Sequence, residues 1–164
     1  MITLYLIRHG IAAERGTYAN DGDRPLTDEG QHKTRRVAKR LRELELSFHL
    51  ILSSPLVRAR QTAEILQDVG LGDRLETTAD LAPDGGLDHW LAWLTKTPEY
   101  WDGTLALVGH QPDLGNWAEQ LVWGEARERV VLKKAGVIGL TLPENGSPVG
   151  HSHLFWLTPP RFLL

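Results

Sequence analysis

Three turns in this sequence carry side chains suited to holding an anion. Arg8-His9-Gly10 closes the apolar run Ile2–Ile7, Ser53-Ser54-Pro55 with Arg58 follows His49–Leu52, and Gly109-His110 closes Thr104–Val108. Guanidinium groups meet phosphate oxygens bidentately and stay charged at any working pH. A neutral imidazole is a competent nucleophile toward phosphorus, and neighbouring arginines disfavour its protonation. A helix starting after Pro55 adds backbone N–H donors and a positive end. Brought together, Arg8, His9, Arg58 and His110 would bind a phosphoryl group and stabilise its transfer without magnesium, through a phosphohistidine.

Taken singly, each residue has a plainer reading. Arg8-His9 could form a strand-end ion pair, Arg58 could lie in solvent on a helix, and His110 could cap the helix that follows Pro112. What links them is position, because ligands of open α/β sheets bind beyond the carboxyl ends of strands.

The elements that must do the positioning are legible in outline. Ile2–Ile7 is nearly unbroken in its apolarity, as a strand covered on both faces requires. Thr27 caps a helix whose first turn holds Asp28 and Glu29 and whose stripe is Val37, Leu41 and Leu44. His49–Leu52 is a second strand, and Ser53-Ser54-Pro55 starts a helix carrying Ala59, Thr62, Ala63, Leu66 and Val69. Further on come a helix at Trp90–Leu94, a strand at Thr104–Val108 and a helix with Leu114, Trp117, Leu121 and Val122 on one side. Gly136–Leu142 and His151–Leu157 form an antiparallel pair. This order predicts a three-layer α/β/α sandwich with a mostly parallel mixed sheet.

Composition narrows the functional class. With 164 residues the chain is expected to form one domain over 1–164. Its 18 Lys+Arg against 21 Asp+Glu, a net charge of −3, argue against a broad nucleic-acid footprint. No cysteine is present, so thiolate chemistry and disulfides are excluded. No apolar run approaches the ~20 residues of a membrane span, and the N-terminal run reads as a strand rather than a signal peptide. The expectation is a cytoplasmic monomer without metal or cofactor. His151 and His153 have metal-ligand spacing but no evident third ligand. The basic stripe of Arg35, Arg36, Lys39 and Arg40 reads as a solvated helix face, and Trp90 and Trp93 as candidates to border the mouth of the site.

Four segments in register resemble the histidine phosphatase superfamily, the phosphoglycerate mutase-like fold. They are Arg8-His9-Gly10, Pro25-Leu26-Thr27-Asp28-Glu29-Gly30, the run from Ser53 to Ala63, and Val108-Gly109-His110. The resemblance covers residues 1 to about 142 and is nearest to the short phosphohistidine phosphatase branch, in which no helical cap is inserted. It implies that His9 is the phosphorylated nucleophile and that Arg8, Arg58 and His110 form the phosphate pocket. It also implies that Asp80, one methylene shorter than the family's usual Glu, is the acid/base candidate. Ala12 stands where many members carry Ser or Thr. The implied substrate is phosphohistidine on a carrier or phosphotransfer protein, since an uncapped site admits a side chain on a folded partner. The rivals are a small-molecule phosphomonoesterase and a non-enzymatic phosphate-binding module.

Overall fold

In the computed structural model, which describes residues 1–164, strand and helix alternate through most of the chain. The strands are β1 (Ile2–Arg8), β2 (Leu50–Ser53), β3 (Leu75–Thr77), β4 (Thr104–Gly109), β5 (Val137–Leu142) and β6 (His153–Thr158). The helices are α1 (Asp28–Glu43), α2 (Val57–Asp68), α3 (Leu87–Thr95) and α4 (Asp113–Trp123). One sheet runs in the order β3-β2-β4-β1-β5-β6. Its first four strands are parallel, while β5 pairs antiparallel with both β1 and β6. No helix is long and apolar enough to cross a membrane.

The three layers follow from the two-residue side-chain period of a strand. Leu4, Leu6, Leu50, Leu52, Leu105 and Leu107 point to one face, where Trp90 and Leu94 of α3 and Trp117 and Leu121 of α4 cover them. Ile7, Ile51, Ala106 and Val108 point to the other, against Val37 and Leu41 of α1 and Ala63 and Leu66 of α2. Both faces are dry, which explains the unbroken apolar runs.

Register then places the chemistry. Arg8 of β1 lies opposite Gly109 of β4, and Ser53 of β2 lies opposite Val108. The backbone N–H of His9 donates to the Gly109 carbonyl at 3.0 Å. His9 and His110 are therefore the first residues past two neighbouring parallel strands. Because β5 is antiparallel, its start at Val137 and the end of β6 at Thr158 reach the same rim.

Several local expectations need correction. Strand β3 is three residues long and mostly exposed, too short for a recognisable apolar pattern. Pro55 precedes the cap, and α2 begins only at Val57. Leu44 is the C-cap of α1 and 44% exposed, outside the buried stripe. Strand β6 begins at His153, so His151 sits in the turn before it and does not share a strand face with its neighbour. No group of three His, Asp or Glu stands close enough to share a metal ion. Trp90 is fully buried against Trp117, with ring centroids 6.0 Å apart, and Trp93 stacks on Tyr100. Trp90 is therefore part of the core and does not border the mouth of a site.

Candidate active site

Glycine and threonine set the turn after β1. A Cβ on Gly10 would lie 2.2 Å from Thr34 Oγ1, and one on Gly30 would lie 2.0 Å from the Ile11 carbonyl, so neither position has room for a side chain. Thr27 Oγ1 accepts from Gly30 N at 2.9 Å, capping α1 where its backbone touches the loop. Thr62 Oγ1 accepts from Gly10 N at 3.0 Å and donates to the Arg58 carbonyl at 2.8 Å. Gln61 Oε1 accepts from Leu26 N at 2.8 Å. The Pro-Leu-Thr and Gln-Thr segments are thus structural clasps that hold the first turn against α1 and α2.

His9 is 6% exposed, and its Nδ1 lies 2.7 Å from the Gly10 carbonyl. A carbonyl only accepts, so Nδ1 carries the proton and Nε2 is left with its lone pair. Burial, and then the charges of His110, Arg58 and Arg8, push the His9 imidazole down to about 3. His110 lies beside it, with ring centroids 5.2 Å apart. Burial first, then Arg58 and Arg8, lowers His110 to about 4. Both rings are neutral near pH 7.

Ser54 holds the ring of His110. Its Oγ accepts from Leu56 N at 3.2 Å and lies 2.7 Å from His110 Nε2. When that hydroxyl donates to Nε2, the ring proton of His110 sits on Nδ1. That Nδ1 is buried with no partner, as are Arg8 Nε and Arg58 Nε. Unsatisfied buried polar nitrogens are rare and costly, and three on neighbouring side chains make a site for a hydrogen-bond acceptor. A tetrahedral anion bears the oxygens they lack.

The arginines are held from behind. Arg8 donates from Nη1 to the Leu132 carbonyl at 3.0 Å. Arg58, 4% exposed, donates to the Asp21 carbonyl at 3.1 Å and to its carboxylate at 3.2 Å. Arg24 grips the same carboxylate at 2.8 Å and the Ala13 carbonyl at 2.6 Å. Burial, and for Arg58 the Arg24 charge next, disfavours the two guanidinium charges, so an incoming anion is favoured electrostatically. Asp21 is held low, first by its bond from Arg24. Asp21 lies in the Asn20–Asp23 turn cluster, and no motif in the sequence marks it for this role.

The turn before β5 is the other unforeseen part. Ala135 N donates to the Arg8 and His9 carbonyls at 3.0 and 3.1 Å. Glu119, 2% exposed, accepts backbone N–H groups of Arg127, Arg129 and Val130 and so nails down the segment leading to Leu132. Gln111, next to His110, donates to the Val130 carbonyl at 2.9 Å.

Asp80 stands apart from this cluster. It lies in a single tight turn, Ala79–Leu81, just past the carboxyl end of β3 and hence on the same rim. Its backbone N–H donates to Thr78 Oγ1, and its carboxylate is 3.7 Å from His89 Nδ1. It makes no hydrogen bond or ion pair with Arg8, His9, Arg58 or His110. Arg8, His9, Arg58 and His110 come together as the sequence suggested.

Known proteins resemble this chain in sequence and in fold. The family model for the histidine phosphatase superfamily (branch 1) matches residues 4–83. A protein of Picosynechococcus sp. PCC 7002 with no functional name is 51% identical over 165 residues, 98% of each chain. The phosphohistidine phosphatase SixA of Escherichia coli K12 is 28% identical over 145 residues, 88% of each chain. A protein of Enterobacter sp. 638 named as a probable phosphoglycerate mutase, GpmB, is 31% identical over 93% of this chain and 70% of its own. The solved structure of the protein histidine phosphatase SixA with tungstate superposes with a TM-score of 0.85 at 27% identity, covering 99% of both chains. A likeness that holds in motif, in fold and along nearly the whole chain makes this protein a member of the histidine phosphatase superfamily.

Proposed function

We propose that this protein removes phosphate from phosphohistidine on proteins, with His9 as the group that accepts it. One observation carries the chemistry: the free Nε2 of a neutral, buried His9 belongs to a ring that neighbours Arg8, Arg58 and His110, each of which holds a buried nitrogen without a partner. In this scheme His9 Nε2 attacks phosphorus as the N–P bond to the substrate imidazole breaks, and that imidazole leaves with the proton it carries. Phosphorylated His9 keeps its Nδ1 proton, shared with the Gly10 carbonyl, and its ring is then cationic in a pocket that disfavours cations. That makes the N–P bond labile toward water. The arginines and His110 Nδ1 stabilise the equatorial oxygens in both steps, so the scheme calls for no metal or cofactor.

The choice of phosphohistidine is supported by the likeness to SixA along nearly the whole chain, and it fits an Asp80 carboxylate that contacts His89 and none of Arg8, His9, Arg58 or His110. An imidazole leaves without help, whereas an alkoxide needs an acid. The partner this reading calls for is a phosphohistidine-bearing carrier or phosphotransfer protein of the cytoplasm. A second reading, hydrolysis of small phosphate esters, is favoured by Asp80 on the same rim and by the likeness to the GpmB protein. Comparing kcat/KM on phosphohistidine proteins, phosphoserine peptides and sugar phosphates decides between them. Phosphohistidine should lead clearly, and equal or better turnover of esters would favour the second reading.

A further inference from the structure

Beside the phosphoryl pocket runs a groove of about 620 Å³ with one sign of charge. Arg8, Lys33, Lys133, Lys134 and Arg161 line it, and no Asp or Glu does. In a chain of net charge −3 this is a local reversal. Lys33 is the only one of the five in an ion pair, with Glu29 at 3.5 Å; Lys133, Lys134 and Arg161 have no acidic partner. The sheet explains the convergence, since α1, the turn before β5 and the residues after β6 all reach the rim where β1 ends.

Arg8 lines the groove and neighbours His9, so groove and phosphoryl site meet at this residue. The rest of the lining is Ile11, Thr34, Ala135, Pro159 and Pro160, with no aromatic ring. An extended peptide with carboxylates would find both cations and apolar walls.

Resting on the reading of the protein as a phosphohistidine phosphatase, we propose that this groove docks acidic residues flanking the phosphohistidine of the substrate protein. Steering by like cations raises encounter rates and fixes register more than it tightens the complex. It therefore belongs in kcat/KM and in salt dependence.

The test uses two histidine-phosphorylated peptides that differ only at the flanking positions, glutamates in one and glutamines in the other. The wild type should prefer the glutamate peptide about tenfold in kcat/KM at low salt, and the preference should shrink near 0.5 M salt as screening shortens. The variant K133E/K134E/R161E should lose or invert the preference while cleaving free phosphohistidine at the wild-type rate. K133Q/K134Q/R161Q should abolish it if charge reversal disturbs folding. Cleavage of both peptides without discrimination, or a preference that survives in the variants, would overturn docking alone. A wild type that hydrolyses sugar phosphates and neither peptide would refute the phosphohistidine reading and docking with it. A preference for small bisphosphates over monophosphates, lost in the same variants, would assign the groove to a second phosphate and also overturn the proposal.

Discussion

The Nδ1 proton of His9 is held by the Gly10 carbonyl, and burial holds the ring neutral. With its imidazole lowered to about 3, the nucleophile stays unprotonated far below the ordinary histidine value of about 6.5. The kcat/KM of the wild type should therefore not fall between pH 7 and 5 on account of His9. A tenfold loss per unit below pH 6.5, measured on a substrate that does not titrate there, would mean an ordinary, solvated histidine. Asp80 makes a second prediction at this scale. An alkoxide leaving group is a strong base, so Asp80→Asn should slow ester hydrolysis by about 10²–10⁴ if the carboxylate reaches it. Phosphohistidine cleavage should scarcely change in its first step. Equal burst-phase losses on both substrates would remove Asp80 from the role of acid. Arg8, His9, Arg58 and His110 were legible in the sequence because each directly follows or opens an element whose pattern is strong. The pairing of Asp21 with Arg24 and Arg58 and the contact of Ser54 with His110 were not, because these partners lie across loops and no periodicity encodes a loop's path.

At the scale of elements, the site depends on close backbone contact between α1 and the turn after β1. Alanine inside a helix is intrinsically better than glycine by about 1 kcal/mol. At Gly30 that sign should reverse, because the added Cβ meets the Ile11 carbonyl at 2.0 Å. Gly30→Ala should cost about 1–3 kcal/mol by overpacking and lower kcat as the turn shifts. A thermal melt and a rate measurement check both, and a variant that gains stability would show that the contact is soft. The long elements were readable from their apolar period, and β1, β2 and β4 emerged close to their observed bounds. Strand β3 was not, since Leu75–Thr77 is short and exposed. The turn holding Leu132 to Gly136 was missed for another reason. Only the antiparallel direction of β5 carries it to the rim, and that pairing is long-range.

For the whole molecule, two buried neutral histidines carry a cost in acid. Their unfolded forms take up protons below about pH 6.5, whereas the folded forms resist until about 3 for His9 and about 4 for His110. The unfolded state then binds more protons, so stability should fall as pH drops from about 6.5 toward 4, by up to about 1.4 kcal/mol per unit for each ring. A bound phosphate analogue such as tungstate should offset part of this by mass action. Urea midpoints at pH 7 and pH 5 should separate the wild type from His9→Gln/His110→Gln, whose stability should depend less on pH. Equal slopes would contradict the burial of neutral rings. The fold that imposes this cost also brings the carboxyl ends of β1, β2 and β4 and the start of β5 to one rim. A strand order of β3-β2-β4-β1-β5-β6 is not written in any single segment, which is why the layers were predictable and the neighbours of the pocket were not.

The central claim is that His9 carries the phosphoryl group during turnover, and trapping that intermediate tests it most directly. Rapid quenching of the protein with a radiolabelled phosphohistidine substrate, followed by peptide mapping in alkali, locates the label. The account predicts an acid-labile, alkali-stable phosphate on His9, formed within one turnover and absent from His9→Ala, which folds normally. Label on any other residue, or turnover by His9→Ala with no covalent phosphate at all, would contradict it.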